Sequence, residues 1–119
     1  MIHAYAGTGT YPSLKPPQAP IKWTHSAEFI KSETEAQITK NRQLYDSIAA
    51  LKPEDCNFKS VFHAIAVASN TFELEINPLT FYTHVASDDG VRAASIAAEE
   101  SLDKSVASVR CSIRTELML

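Results

Sequence analysis

The sequence predicts an all-α fold, an antiparallel up-down-up bundle of three long helices preceded by an extended proline-rich arm. Three observations carry this expectation. Apolar residues recur at spacings of three and four over three long stretches. Pro53, Asn77-Pro78 and the run Ser87-Asp88-Asp89-Gly90 separate those stretches. No segment alternates apolar and polar residues as a half-buried strand would. The expected organisation is an arm over 1–23 and a three-helix domain over 24–119, with helices at about 26–51, 54–78 and 88–117.

The arm carries Gly7, Gly9, Pro12, Pro16, Pro17 and Pro20, each of which punctuates a helix. Ile21 and Trp23 close it, and Trp23 reads as an anchor onto the body. In the first helix, Thr24 or Ser26 supplies a cap and Glu28 an acid where the helix dipole favours one. Ala27, Ile30, Thr34, Ile38, Asn41, Tyr45 and Ile48 form its inner stripe. Lys52-Pro53 ends it, because the residue before a proline avoids helical torsions.

Pro53 suits the start of the second helix, whose buried stripe is Phe58, Val61, Phe62, Ile65, Ser69, Phe72, Ile76 and Leu79. Asn77-Pro78 kinks or ends it, and 79–85 reads either as one more helical turn or as an ordered loop. Ser87, Asp88 and Asp89 cap the third helix, with Gly90 a mild misfit. Its inner face is Val91, Ala94, Ala98, Leu102, Val106, Val109, Ile113 and Leu117, and Glu100 and Lys104 have the spacing of an i,i+4 ion pair. The links are short, so neighbouring helices are expected to run antiparallel.

Composition narrows the function. The chain has 119 residues, 45% hydrophobic and 21% charged, enough to bury a core without metal or disulfide staples. A net charge of -3 argues against a nucleic-acid binder, which usually shows a basic face. The stretch 61–68 is far too short for a membrane span, and residues 1–10 lack a secretory pattern. The arm holds Lys15 and Lys22 but no Arg, unlike a mitochondrial presequence. The expected setting is the cytoplasm, where Cys56 and Cys111 stay reduced.

No catalytic motif emerges. His3, His25, His63 and His84 do not pair at metal-ligand spacing, and no H-E-x-x-H occurs. Glu73 and Glu75 sit about 200° apart on a helix, and Asp88-Asp89-Gly90 lacks the alternating ligands of a calcium loop. Gly7-Thr8-Gly9-Thr10 lacks the Lys and the helix of a phosphate loop. His84, at the junction of the last two helices, is placed to hydrogen-bond chain ends.

Several blocks carry a family resemblance. They are Ile21-Lys22-Trp23-Thr24-His25-Ser26, Leu44-Tyr45-Asp46, the run from Asn77-Pro78-Leu79 through Tyr82-Thr83-His84-Val85 to Ser87, and Val91-Arg92-Ala93-Ala94-Ser95. They resemble the amino-terminal helical region of the thimet oligopeptidase, neurolysin and saccharolysin family of zinc peptidases, over 21 to about 114. Tyr82 and Ala97 stand where that family more typically shows Pro and Glu. Matching Ser112-Ile113-Arg114 needs about two extra residues, which turn a helix by roughly 200°. The resemblance implies part of the wall of a deep substrate channel in a cytosolic oligopeptidase. The family's zinc site and general-base Glu lie far downstream, so no catalytic residue, metal ligand or cofactor carries over.

The expected function is therefore a non-catalytic helical module that binds a protein or peptide, associates with itself, or interferes with assembly of a full enzyme. Phe58, Phe62, Phe72 and Leu117 are its candidate interaction surface, and Trp23, Tyr45, His84 and Arg92 its structural anchors. Two alternatives are a segment of a longer active peptidase and a small enzyme built on His63 with Glu73 or His84. No nucleic-acid or membrane partner is expected.

Overall fold

The computed structural model describes the backbone of residues 19–117 and the side chains of 19–109 and of Cys111. Residues 1–18 of the arm and the side chain of Leu117 lie outside that description. Three helices pack on one another: α1 (Ala27–Ala49), α2 (Ala64–Val85) and α3 (Asp89–Leu117). Residues 19–26 enter without regular structure.

Ser26 is the cap of α1: its backbone is extended and its hydroxyl accepts the Phe29 N–H at 3.1 Å. Glu28 occupies the first turn. At the other end Lys52 is extended ahead of Pro53, as the proline ring requires.

The start of α2 differs from the sequence reading. Pro53 opens a separate 3₁₀ turn, Pro53–Asp55, rather than the long helix. The cap is Asn57, whose Oδ1 accepts the N–H groups of Lys59 and Ser60 at 2.9 and 3.1 Å. Ser60 Oγ in turn accepts the Asn57 N–H at 3.0 Å, a reciprocal capping box. One π-turn, Lys59–His63, then leads into α2, with the His63 N–H reaching the Phe58 carbonyl at 2.9 Å.

At the end of α2 the helical reading of 79–85 holds over the loop: Pro78 lies inside the helix, which runs past 78 to Val85. An interior proline costs about 3 kcal/mol, but the turns beyond it bury Leu79 and Tyr82, among the most enclosed residues of the chain. That burial, at about 1.5–3 kcal/mol per large apolar side chain, outweighs the lost hydrogen bond. The chain leaves the helix at Ala86, which is extended. Asp88 then caps α3, its Oδ1 accepting the Val91 N–H at 2.8 Å. A side chain at Gly90 would come within 3.1 Å of that same carboxylate oxygen, so glycine leaves the cap uncrowded.

Topology follows from which ends meet. His25, at the head of α1, touches Tyr82, near the tail of α2, and Ser95, near the head of α3, touches Leu79 and Thr83. The bundle is therefore up-down-up. Its core is Ile30, Ile76, Leu79, Tyr82 and Ala98, flanked by half-buried Phe72, Ala86, Val91, Ala94 and Leu102. The five core residues belong to the first half of α1, the second half of α2 and the first half of α3. The core thus occupies one end of an elongated molecule, 66 × 43 × 28 Å, whose radius of gyration of 20.4 Å exceeds the ~13 Å of a compact domain of about 100 residues.

A polar clasp sits inside this core. Ser95 is fully buried, and its hydroxyl lies 2.7 Å from the Leu79 carbonyl and 2.8 Å from that of Thr80. The Thr83 N–H donates to it at 3.0 Å, so the hydroxyl of α3 bridges a donor and acceptor four residues apart on α2. Thr34 and Gln37, also buried, satisfy their side chains within α1 through the Ile30 carbonyl and the Glu33 carboxylate. Glu100 and Lys104 are exposed and make no ion pair; the ion pair formed among the described side chains joins Arg92 to Asp89 at 3.1 Å.

Candidate protein-binding surface

Helix α2 is apolar on two opposite faces. Over Ala64–Val85 its only formal charges are Glu73 and Glu75, with no Lys or Arg. One face supplies Phe72, Ile76, Leu79 and Tyr82 to the core. The other carries Val67, Leu74, Phe81 and Val85 at steps of seven, seven and four, which line up on a helix. These four are about half exposed, at 52%, 52%, 47% and 53%. The helix thus presents a second apolar stripe beside its polar side, and the bundle covers only the first.

The arm borders this outer face. Trp23 packs its ring on Phe81 at 5.7 Å and edge-on to Tyr82 at 5.6 Å. His25 stacks on Phe29 at 5.1 Å, while its backbone N–H donates to the Tyr82 hydroxyl at 3.2 Å and its Nδ1 lies 3.0 Å from the same oxygen. Tyr82, a departure from the resembled family's pattern, is thus the residue onto which the arm closes. Two adjoining clefts result. One, of about 240 Å³, lies between arm, α1 and α2 and is bordered by Lys22, His25, Glu33 and Glu75. The other, of about 390 Å³, is lined by Ile21, Trp23, Leu74, Pro78 and Phe81, with Glu73 and Asn77 on its rim.

The sequence-derived surface residues do not converge. Phe58 and Phe62 stack at 6.2 Å but are 73% and 67% exposed, outside the buried stripe to which periodicity assigns them. Phe72 is half-buried against the core, and Leu117 lies outside the described side chains. Among the expected anchors, Trp23 docks as described and Tyr45 is half-buried on α1. His84 is exposed, meets Phe81 edge-on at 5.9 Å and caps no chain end. Arg92 takes that part instead, its guanidinium donating to the Ala86 carbonyl just past the end of α2.

The continuous helix also separates the residues considered for a small enzyme. His63 and Glu73 lie ten residues apart, about 15 Å along the axis, and His84 is about 30 Å from His63. Among the described residues no three of His, Cys, Asp or Glu are grouped to hold a metal ion, and no helix is long and apolar enough to cross a membrane. Cys56 is an exposed free thiol.

Fold and surface together define a helical module with one unfilled apolar face. In sequence it is similar to saccharolysin of Saccharomyces cerevisiae, with 30% identity over 119 residues that take in 99% of this chain. The chain spans 16% of the length of that relative. No protein-family model matches the sequence.

Proposed function

We propose that this chain is a non-catalytic helical module of zinc-oligopeptidase type that works by binding a protein or peptide along the outer face of α2. The observation that carries the reading is the second apolar stripe, Val67, Leu74, Phe81 and Val85, left open while the opposite face is filled. The similarity to a segment of saccharolysin supports the type. A second copy of the chain is one protein able to cover such a face, and the cytoplasm is the setting we assign.

Two measurements on the 119-residue chain test this. A hydrophobic dye should gain fluorescence on the wild type and lose about half of that gain on Leu74→Gln, since the glutamine removes the centre of the patch. Peptide hydrolysis should be at background with or without a chelator. Absence of dye binding would remove the surface, and chelator-sensitive hydrolysis would remove the non-catalytic assignment.

A second reading is favoured by the 16% coverage of saccharolysin: the chain is one segment of a longer, active metallopeptidase. The intact mass of the endogenous protein separates the two. A product near 13.1 kDa supports a standalone module, and a several-fold larger one supports the segment.

A further inference from the structure

We propose that the cleft between the arm and the outer face of α2 receives a basic side chain, arginine or lysine, from the peptide or protein that the module binds. This rests on the binding reading above and gives it a chemical specificity.

The lining of the cleft is matched to a long side chain with a cationic tip. Ile21, Leu74 and Pro78 offer an apolar bed for an aliphatic stem. Trp23 and Phe81 are in contact, ring centroids 5.7 Å apart and rings inclined at 51°, so a cation meets this aromatic pair from the cleft side rather than between the rings. Glu73 and Asn77, one helical turn apart, form the rim. Among the described residues Glu73 is the one charged group of the lining, it is exposed, and neither its carboxylate nor the Asn77 side-chain amide makes a hydrogen bond there. Lys22, the nearest cation in sequence, borders the neighbouring cleft with Glu33 and Glu75. An acidic ligand would meet Glu73 directly, and a purely apolar one would leave that carboxylate and the Asn77 amide without compensation. A guanidinium satisfies both, pairing with the carboxylate and donating to the amide oxygen.

Trp23 is the chain's single tryptophan, so its emission reports on this cleft. The experiment titrates the full chain with three short peptides that differ at one position: arginine, norleucine or glutamate. The arginine peptide should give a saturable change in Trp23 emission, with a dissociation constant about five- to tenfold lower than the norleucine peptide, and the glutamate peptide should give none. Glu73→Gln should erase the preference for arginine over norleucine. Phe81→Leu, which keeps the bed but loses the ring, should weaken arginine binding selectively. Circular dichroism confirms that both variants retain their helix.

Equal affinity for arginine and norleucine, or a Glu73→Gln variant that still prefers arginine, would overturn the basic-side-chain assignment. So would the absence of any peptide response while hydrophobic dye still binds, and in that case the broader binding reading survives. Loss of both responses would overturn both.

Discussion

Replacing Ser95 by alanine isolates the polar clasp that joins α3 to α2. The hydroxyl is fully buried and lies at 2.7 to 3.0 Å from the Leu79 carbonyl, the Thr80 carbonyl and the Thr83 N–H. The Thr83 hydroxyl also lies 3.0 Å away; counting only one donated and one accepted bond to the backbone, each worth about 1 kcal/mol net, the clasp contributes about 2 kcal/mol. Deleting a buried partner often costs more, because the groups left behind lose hydration without compensation. Here the penalty is limited: Thr83 follows Leu79 by four residues, so their N–H and C=O are positioned to close on each other in the helical ladder. Alanine also has the better helix propensity, which returns up to about 0.5 kcal/mol. The balance is a loss of about 1.5 kcal/mol, or a fall in Tm of roughly 6–12 °C for a domain of this size. Thermal unfolding followed by circular dichroism measures it. Ser101→Ala is the control, since that exposed hydroxyl bonds at 2.9 Å to Ala97 of its own helix and its loss should shift stability by under about 0.5 kcal/mol. If Ser95→Ala melted within about 2 °C of the wild type, the clasp would not be holding the two helices together.

Pro78→Ala restores an N–H to the interior of α2 and should stabilise the chain by about 1–2 kcal/mol, the helix gain of about 3 kcal/mol being reduced by the greater freedom of the unfolded chain. A lower Tm would show instead that the proline ring's packing in the two clefts matters more than the ladder. Tyr82→Phe keeps the buried ring but removes the acceptor of the His25 N–H. The arm junction should loosen by about 1 kcal/mol, seen as roughly fivefold faster exchange of the His25 amide while amides in the middle of α3 are unaffected. Unchanged exchange at His25 would mean that aromatic contact alone seats the arm.

Much of the bundle was legible because it depends on local chemistry. The serine at 26 and the aspartate at 88 cap helices as short-range rules dictate, and the stripes of α1 and α3 contain Ile30, Thr34, Ala94 and Ala98, which the fold buries or half-buries. The local rule for proline misleads when taken alone. At position 53 proline shapes one 3₁₀ turn, while the capping is done by Asn57 through an N-x-x-S pattern visible in the sequence. At position 78 the local penalty of proline is real, but it competes with the burial of Leu79 and Tyr82, which depends on where α1 and α3 lie. The clasp role of Ser95 is illegible for a related reason. A serine beside Ala94 reads as a small, neutral residue until the fold sets the Leu79 and Thr80 carbonyls opposite it.

The outer surface of α2 shows where periodicity stops being informative. Phe58, Phe62, Phe72, Ile76 and Leu79 lie on one stripe, and the sequence treats them alike. The fold divides them, because the core forms only where the three helices overlap and the first two phenylalanines lie beyond it. The more telling sign was the lack of charge. Over its 22 residues α2 carries two acids and no base, whereas α1, also solvent-facing on one side, carries Lys31, Glu35, Lys40 and Arg42 on its outer face. An outward face that excludes Lys and Arg is poorly suited to water on its own. Two physical arguments thus point to the same helix: the lack of Lys and Arg along its length, and the stripe Val67, Leu74, Phe81 and Val85 that the bundle leaves open. The arm's Trp23 covers one edge of that stripe, and Glu73 lines the same cleft, so a group entering that cleft meets an apolar surface with a carboxylate beside it.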